Sequence, residues 1–370
     1  MKERSLLFEL IRCALWGSHL EGNYTPDVFW RVLQIAEQQT VTGLVFDGMD
    51  LLEATQRPTP DFILETTGRA LQIENANIQL NRRIEVIAEA FENTMVAAVM
   101  VKGQGIASLY PNPLHRQCGD IDLYIPPGQF NQAFNLALSW EPIDYDYASE
   151  HANLKYEDWV LELHSTLVDS KLWGCSRRMD KWFQGQLRQS NEKICGMLVP
   201  GEMLNVVFVF QHFFHHFMTS GAGLRQLCDW ALCLKSYRAK YGTERDAELE
   251  NLLKSFSLLE PWQGFGNIVV EYIGLPQSMM PLYKPWEQQK VEQMIDHIFE
   301  EGNFGYYSKK KHFSSRYLIR KWYSLVDQFS RQRELYGLFP KNALMSIKNP
   351  FDSIEQVIWE YKKGKKSRNK

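Results

Sequence analysis

The stretch that most limits what this chain can become is Asp120-Ile121-Asp122-Leu123-Tyr124-Ile125. Polar and apolar residues alternate along it. Side chains in a strand alternate faces, so the two aspartates point one way while Ile121 and Leu123 enter a core. Two carboxylates side by side are tolerable in water but costly in a cleft unless positive charge sits between them, and a divalent cation is the usual answer. Upstream, Val96 to Val101 is a short valine-rich run, the pattern of a strand covered on both faces. Lys102, Gly103 and Gly105 punctuate it, and Ile106 to Tyr110 suits a brief helix. A glycine turn opening a helix leaves free backbone N–H groups, which favour phosphate.

Around this unit the chain divides into three. Residues 1–94 read as helical: Thr25-Pro26-Asp27 supplies a capping hydroxyl and a proline at the first helical position, and Thr59-Pro60 opens a helix reaching about Asn93. Residues 95–199 carry the strand signals. Gly128 to Trp140 suits a helix, Asp144 to Ala148 a loop or edge, Trp159 to His164 a strand, and Ile194 to Val199 a last short strand or connector. Residues 200–370 return to helical patterning, over Gly201 to Met218, Leu224 to Tyr237, Leu252 to Leu259, Trp262 to Ile273, Val291 to Phe299, Tyr317 to Phe329 and Ile354 to Tyr361. The predicted class is α+β: a small mixed sheet flanked by N-terminal helices and a helical C-terminal domain.

Charge and composition narrow the partners. A net charge of -3 over 370 residues gives no general reason to bind nucleic acid or anionic membrane. No stretch approaches a spanning length, and the N-terminal apolar run is too short for a secretory signal. Six cysteines without paired spacing point to a reduced cytoplasmic protein. The basic tail KKGKKSRNK reads as a solvated terminus.

A third carboxylate asks for explanation. In Trp159-Val160-Leu161-Glu162-Leu163-His164, Glu162 and His164 are two apart and so share a face of a very apolar strand. An unpartnered carboxylate buried there would cost several kcal/mol, about 2–7 even for an uncharged polar group. Strand, glycine turn, helix, Asp-x-Asp strand and later acidic strand are together the parts of a metal-dependent phosphoryl or nucleotidyl transferase.

In that order of parts the chain resembles the DNA polymerase β-like nucleotidyltransferase superfamily. More closely, it is similar to a bacterial branch described as uncharacterised nucleotidyltransferases, in which Lys-Gly replaces the usual turn. The matching residues are Lys102-Gly103, Tyr110, Arg116, Asp120-Ile121-Asp122, Leu161 to His164, and Gly223-Leu224-Arg225 with Asp229. The resemblance implies a nucleotidyltransferase core at 95–199 with Asp120, Asp122 and Glu162 as catalytic acids and metal ligands for Mg2+ (or Mn2+). It implies nucleotide contacts from Lys102, Gly103, Gln104 and Arg116, with Gln104 standing where much of the superfamily has a serine. His164, His212, Arg225 and Asp229 would line the acceptor side.

Plainer roles stand beside these. Lys102 can snorkel at a strand end, and Arg116 can pair with Asp120 or Asp122. His212 and His216, four apart on one helix face, lack the neighbouring Glu of the zinc-protease pattern and read as satisfied core or cleft histidines. Arg225 and Asp229 have i, i+4 spacing and can pair with each other. The expected reaction transfers a nucleoside monophosphate from an NTP to a hydroxyl of a small molecule or a protein, releasing pyrophosphate, with no long nucleic acid and no membrane involved. The alternative is an inactive nucleotide- or metal-binding protein that keeps the fold.

Overall fold

Prolines at the first helical turn set the N-terminal architecture. In the computed structural model, which describes residues 2–148, 150–168, 175–302, 326 and 330–346, helix α1 spans Lys2–Trp16 and α2 Pro26–Gln38. Helix α3 follows at Thr42–Asp50 and α4 at Pro60–Asn93. Pro26 and Pro60 each occupy the first turn, where a missing N–H costs nothing. The hydroxyls of Thr25 and Thr59 make no cap bond, so proline and the extended backbone before it set these starts. A Cβ on Gly48 would lie 2.2 Å from the Leu10 carbonyl oxygen, so only glycine lets α3 press this closely on α1.

The central layer is one mixed sheet. Its strands are β1 Val99–Met100, β2 Asp120–Tyr124, β3 Asp144–Ala148, β4 His151–Lys155, β5 Val160–His164, β6 Glu192–Ile194 and β7 Met197–Val199. They lie in the order β3-β4-β5-β2-β1-β7-β6. Strands β2 and β5 pair in parallel, as do β1 and β7, and the other neighbours are antiparallel. The first strand is shorter than the valine run predicts, because Val96 N–H still bonds the Phe91 carbonyl at the end of α4 and Ala97 N–H bonds the Gln129 side chain. The segment 144–148 is a fully exposed edge strand.

Between strands lie α5 Gly103–Ala107, α6 Phe130–Leu138 and α7 Ser176–Leu187. Beyond the sheet come α8 Glu202–Thr219, α9 Leu224–Tyr241, α10 Asp246–Ser255, α11 Leu259–Glu271 and α12 Gln288–Glu301. The helix expected over Leu252 to Leu259 is broken: Leu252 to Ser255 are the last turn of α10, Leu259 opens α11, and between them the chain turns a corner at Ser257, with φ +58°. The helical candidates Tyr317 to Phe329, apart from Val326, and Ile354 to Tyr361 lie outside the described residues, as does the basic tail.

Two hydrophobic cores follow from strand alternation. Ile121, Leu123, Leu161 and Leu163 join Ala152 and Leu154 against α4 and α6. The opposite face, with Val99 and Tyr124, meets a larger aromatic core in which Trp262 packs edge to face on Phe210 and Trp230, and Phe265 on Phe213 and Phe217. Helix α1 belongs to this second core. Phe8 packs on Tyr272 and Phe299, and Trp16 Nε1 donates to the Ile273 carbonyl at 2.7 Å. Among the described residues, no helix is long and apolar enough to cross a membrane.

Candidate active site

The acidic residues meet because β2 and β5 run parallel and in register. Asp122 lies opposite Glu162, and Tyr124 opposite His164. Side chains at paired positions share a face, so Asp120, Asp122, Glu162 and His164 all look toward α8 and α9. Asp120, Asp122 and Glu162 each offer a carboxylate oxygen, and these atoms lie within 4.8 Å of one another. All-oxygen carboxylate clusters suit hard divalent cations, and these residues fit one.

Positive groups already crowd this cluster. Lys102 Nζ stands 2.8 Å from Asp122 Oδ1, and His164 Nε2 donates to the same oxygen at 3.1 Å. His164 Nε2 is also 3.4 Å from Glu162 Oε2. Burial pushes the Asp122 carboxyl up, but Lys102 and His164 together outweigh it and hold it below its ordinary range. Glu162 is likewise held low, by hydrogen bonding to His151 and His164. Asp120 goes the other way. Repulsion from Asp122, with burial added, raises it to about 6. The two carboxyls of one Asp-x-Asp strand therefore differ in their readiness to lose a proton, and the difference comes from which of them Lys102 and His164 reach.

Lys102 owes its position to an unusual backbone. Its φ is +78° and ψ −144°, a region essentially confined to glycine and costing of order 1–3 kcal/mol for other residues. The next residue, Gly103, also has positive φ, at +48°, and a Cβ there would meet only the Asp120 carbonyl oxygen at 3.8 Å. Backbone conformation, not space, requires that glycine. The turn aims the Lys102 side chain back at the acids. Its ammonium also donates to His212 Nε2 at 3.2 Å, and His216 Nε2 lies 3.3 Å from the same atom. His216 Nδ1 in turn faces Ser220 Oγ at 2.8 Å. Burial and then the Lys102 charge keep His212 neutral, and burial with His215 brings His216 down to about 3. The two histidines on α8 thus form a neutral hydrogen-bonded row leading from Lys102.

A cavity of about 440 Å3 opens beside the acids, a size within the 300–1,000 Å3 range typical of small-molecule sites. Lys102, Gly103, Asp120, Asp122, Glu162 and His212 line it, as do Arg225 and Asp229. Two residues expected at the nucleotide are committed elsewhere. Gln104 is 4 % exposed, and its amide donates to the Asn77 and Asn81 side chains of α4. Arg116 reaches the cavity wall, but its Nε and Nη2 form a fork on the two oxygens of Asp229 at 2.7 and 2.8 Å. Its partner is therefore Asp229, not Asp120 or Asp122, because the helical layer places α9 over the turn. Nor do Arg225 and Asp229 pair. Asp229 also accepts from the Tyr110 hydroxyl at 2.7 Å, while Arg225 Nη1 donates to the Gln117 carbonyl. The Arg225 Nε is buried without a hydrogen-bond partner.

Sequence reading missed β4, and with it His151 and Asn153. Asn153 lies opposite Glu162 and donates to its Oε1 at 3.4 Å. The alternation His151-Ala152-Asn153-Leu154-Lys155 carried the signal, since Ala152 and Leu154 are fully buried.

Comparison with known proteins places the chain among its relatives. A family model described as an uncharacterised nucleotidyltransferase matches residues 28–256. No curated protein and no solved structure matches the chain significantly.

Proposed function

The chain belongs to this uncharacterised nucleotidyltransferase family, and from that premise we propose that it moves a nucleoside monophosphate from an NTP to an acceptor hydroxyl. The acceptor oxygen bonds to the α-phosphorus, the bond from that phosphorus to the bridging oxygen breaks, and pyrophosphate leaves. The supporting observation is the convergence of Asp120, Asp122 and Glu162 beside a cavity of nucleotide-compatible size. In this reading Asp120, Asp122 and Glu162 would hold Mg2+ or Mn2+, which would supply charge neutralisation for the triphosphate and Lewis acidity toward the acceptor hydroxyl.

The remaining roles belong to side chains of the chain itself. Glu162, held ionised by hydrogen bonding to His151 and His164, completes the carboxylate set, while Asp120, raised to about 6, is the carboxyl of the trio basic enough to accept the acceptor's proton. Lys102 supplies a compact positive charge for the phosphates where the superfamily places a serine hydroxyl, since Gln104 is turned toward α4. Gly103 lets backbone approach the phosphates without a side chain between them. Arg116 acts as a positioning residue, fixing the loop before β2 to α9 through Asp229. Arg225, which lines the cavity, is assigned to the acceptor. Weak net charge favours a small molecule or a protein hydroxyl over a long nucleic acid. Six free cysteines accord with a reducing cytoplasm.

Pyrophosphate release from each NTP, with Mg2+ or Mn2+ and a panel of hydroxyl acceptors, tests the proposal. Release dependent on metal and lost in Asp122→Asn is the expected result. Nucleotide binding without any release across the panel would instead favour an inactive binding protein.

A further inference from the structure

We propose a second cation site on the same sheet face, built from His151, Glu162 and His164 and taking a borderline transition ion such as Zn2+ or Co2+. Nothing in the nucleotidyl-transfer reading requires it. The antiparallel pairing of β4 with β5 sets His151 directly opposite His164, with Glu162 two pairs along and therefore on the same face. Directly opposed side chains have Cβ atoms only about 4.5–5.5 Å apart, and diagonal neighbours remain within reach of long side chains. The two imidazole rings lie 4.9 Å apart at 51°. Nε2 of His164 and Nε2 of His151 stand 3.4 and 3.9 Å from one atom, Glu162 Oε2. All three donor atoms fall within 4.8 Å of one another.

Those separations are close to what an ion needs. Bonds of about 2.0–2.1 Å in a tetrahedron leave donor atoms roughly 3.3 Å apart, so rotamer adjustments well under a strand spacing close the set. The His151 side chain is 44 % exposed, which provides an entry path and leaves a fourth position to water. Three protein ligands with one open position is the pattern of a catalytic rather than a structural ion. Donor chemistry separates this set from the acid trio. Two imidazoles and one carboxylate suit Zn2+, Co2+ or other borderline ions, whereas the all-oxygen trio of Asp120, Asp122 and Glu162 suits Mg2+. Glu162 belongs to both, so a single carboxylate couples the two positions.

Co2+ titration of the full-length protein, read by visible absorption and by melting temperature, tests the site. The expected result is a saturable absorption band that His151→Ala and His151→Gln both remove, with Co2+ affinity falling at least about tenfold. Asp120→Asn should keep the band, while Mg2+ stabilisation should show the reverse pattern, kept in the His151 variants and lost in Asp120→Asn. His151 is half-exposed, and the metal-free melting temperature of each variant reports whether its fold is intact. A band unchanged in both His151 variants, or one that Asp120→Asn abolishes, overturns the proposal. Because the readout is spectroscopic, a protein without transferase activity can still pass, and an active one can still fail.

Discussion

Two faces of the same three strands invite comparison. On one, Ile121, Leu123, Leu161 and Leu163 are at most 1 % exposed and bury themselves against α4 and α6. On the other, one residue away along the same strands, Asp120, Asp122, Glu162 and His164 gather around Lys102, with His151 beside Glu162 and His164. The apolar face lowers the free energy of the fold by about 1.5–3 kcal/mol for each large side chain removed from water. The polar face does the opposite. It holds like charges together, keeps Lys102 in a glycine-type backbone conformation, and leaves Asp120 raised to about 6. One strand can therefore anchor the core and carry an energetically expensive site, because the two jobs fall on residues of opposite parity.

Substitutions on each face should separate these roles. The largest effect is expected from Asp122→Asn, which keeps shape but removes the charge nearest Lys102. Metal-dependent pyrophosphate release should fall about a thousandfold, roughly 4 kcal/mol of transition-state stabilisation, with a modest fall in melting temperature, because relief of the repulsion on Asp120 offsets only part of the lost Lys102 ion pair. A large drop in melting temperature would blur the distinction between the faces. Leu163→Ala, next to Glu162 on β5 and of the opposite parity, should cost about 2–5 kcal/mol in chemical denaturation. Cation affinity of the folded fraction should stay as it was; a parallel loss of affinity would show that the faces are coupled.

Arg116→Lys probes the joint between sheet and helices. Lysine cannot reproduce the fork on Asp229, and losing one charged hydrogen bond there should cost about 1.5–3 kcal/mol. If Arg116 were a nucleotide contact instead, NTP affinity would drop while stability held. The smallest effect concerns pH. Asp120 is raised in the folded protein from 3.8 to about 6, so the fold binds that proton more tightly than the unfolded chain does. The stability this contributes is present below pH 4 and is lost as pH rises through about 6. In chelator, wild type should lose about 1–2 kcal/mol relative to Asp120→Asn across that window. Added Mn2+ should reverse the loss above pH 6, when the carboxylate is free to bind it. A flat difference between the two proteins would mean that Asp120 is not crowded by its neighbour.

Much of the local structure was legible because its causes are local. Proline in the first turn and sustained apolar spacing gave α4 its limits at Pro60 and Asn93. Alternation gave β2 and β5 their faces. Strand β4 went unread, although His151 to Lys155 alternates as cleanly, because its buried side chains are a small Ala152 and a single Leu154. The corner at Ser257 was read as continuous helix because the residues around it keep helical hydrophobic spacing through the break.

Which residues would share a face, and hence that Asp120 and Asp122 stand together, was determined by the sequence through a repeat of two along a strand. Only the tertiary structure decided who meets whom across elements. Parallel register brought Glu162 beside Asp122, α9 delivered Asp229 to Arg116 across 113 positions, and α4 drew Gln104 away from the cavity. The reason is physical: spacing sets a side chain's direction within its own element. Its partner depends on which distant surfaces are buried together, and that choice minimises the exposed apolar area and unpaired charge of the whole chain at once.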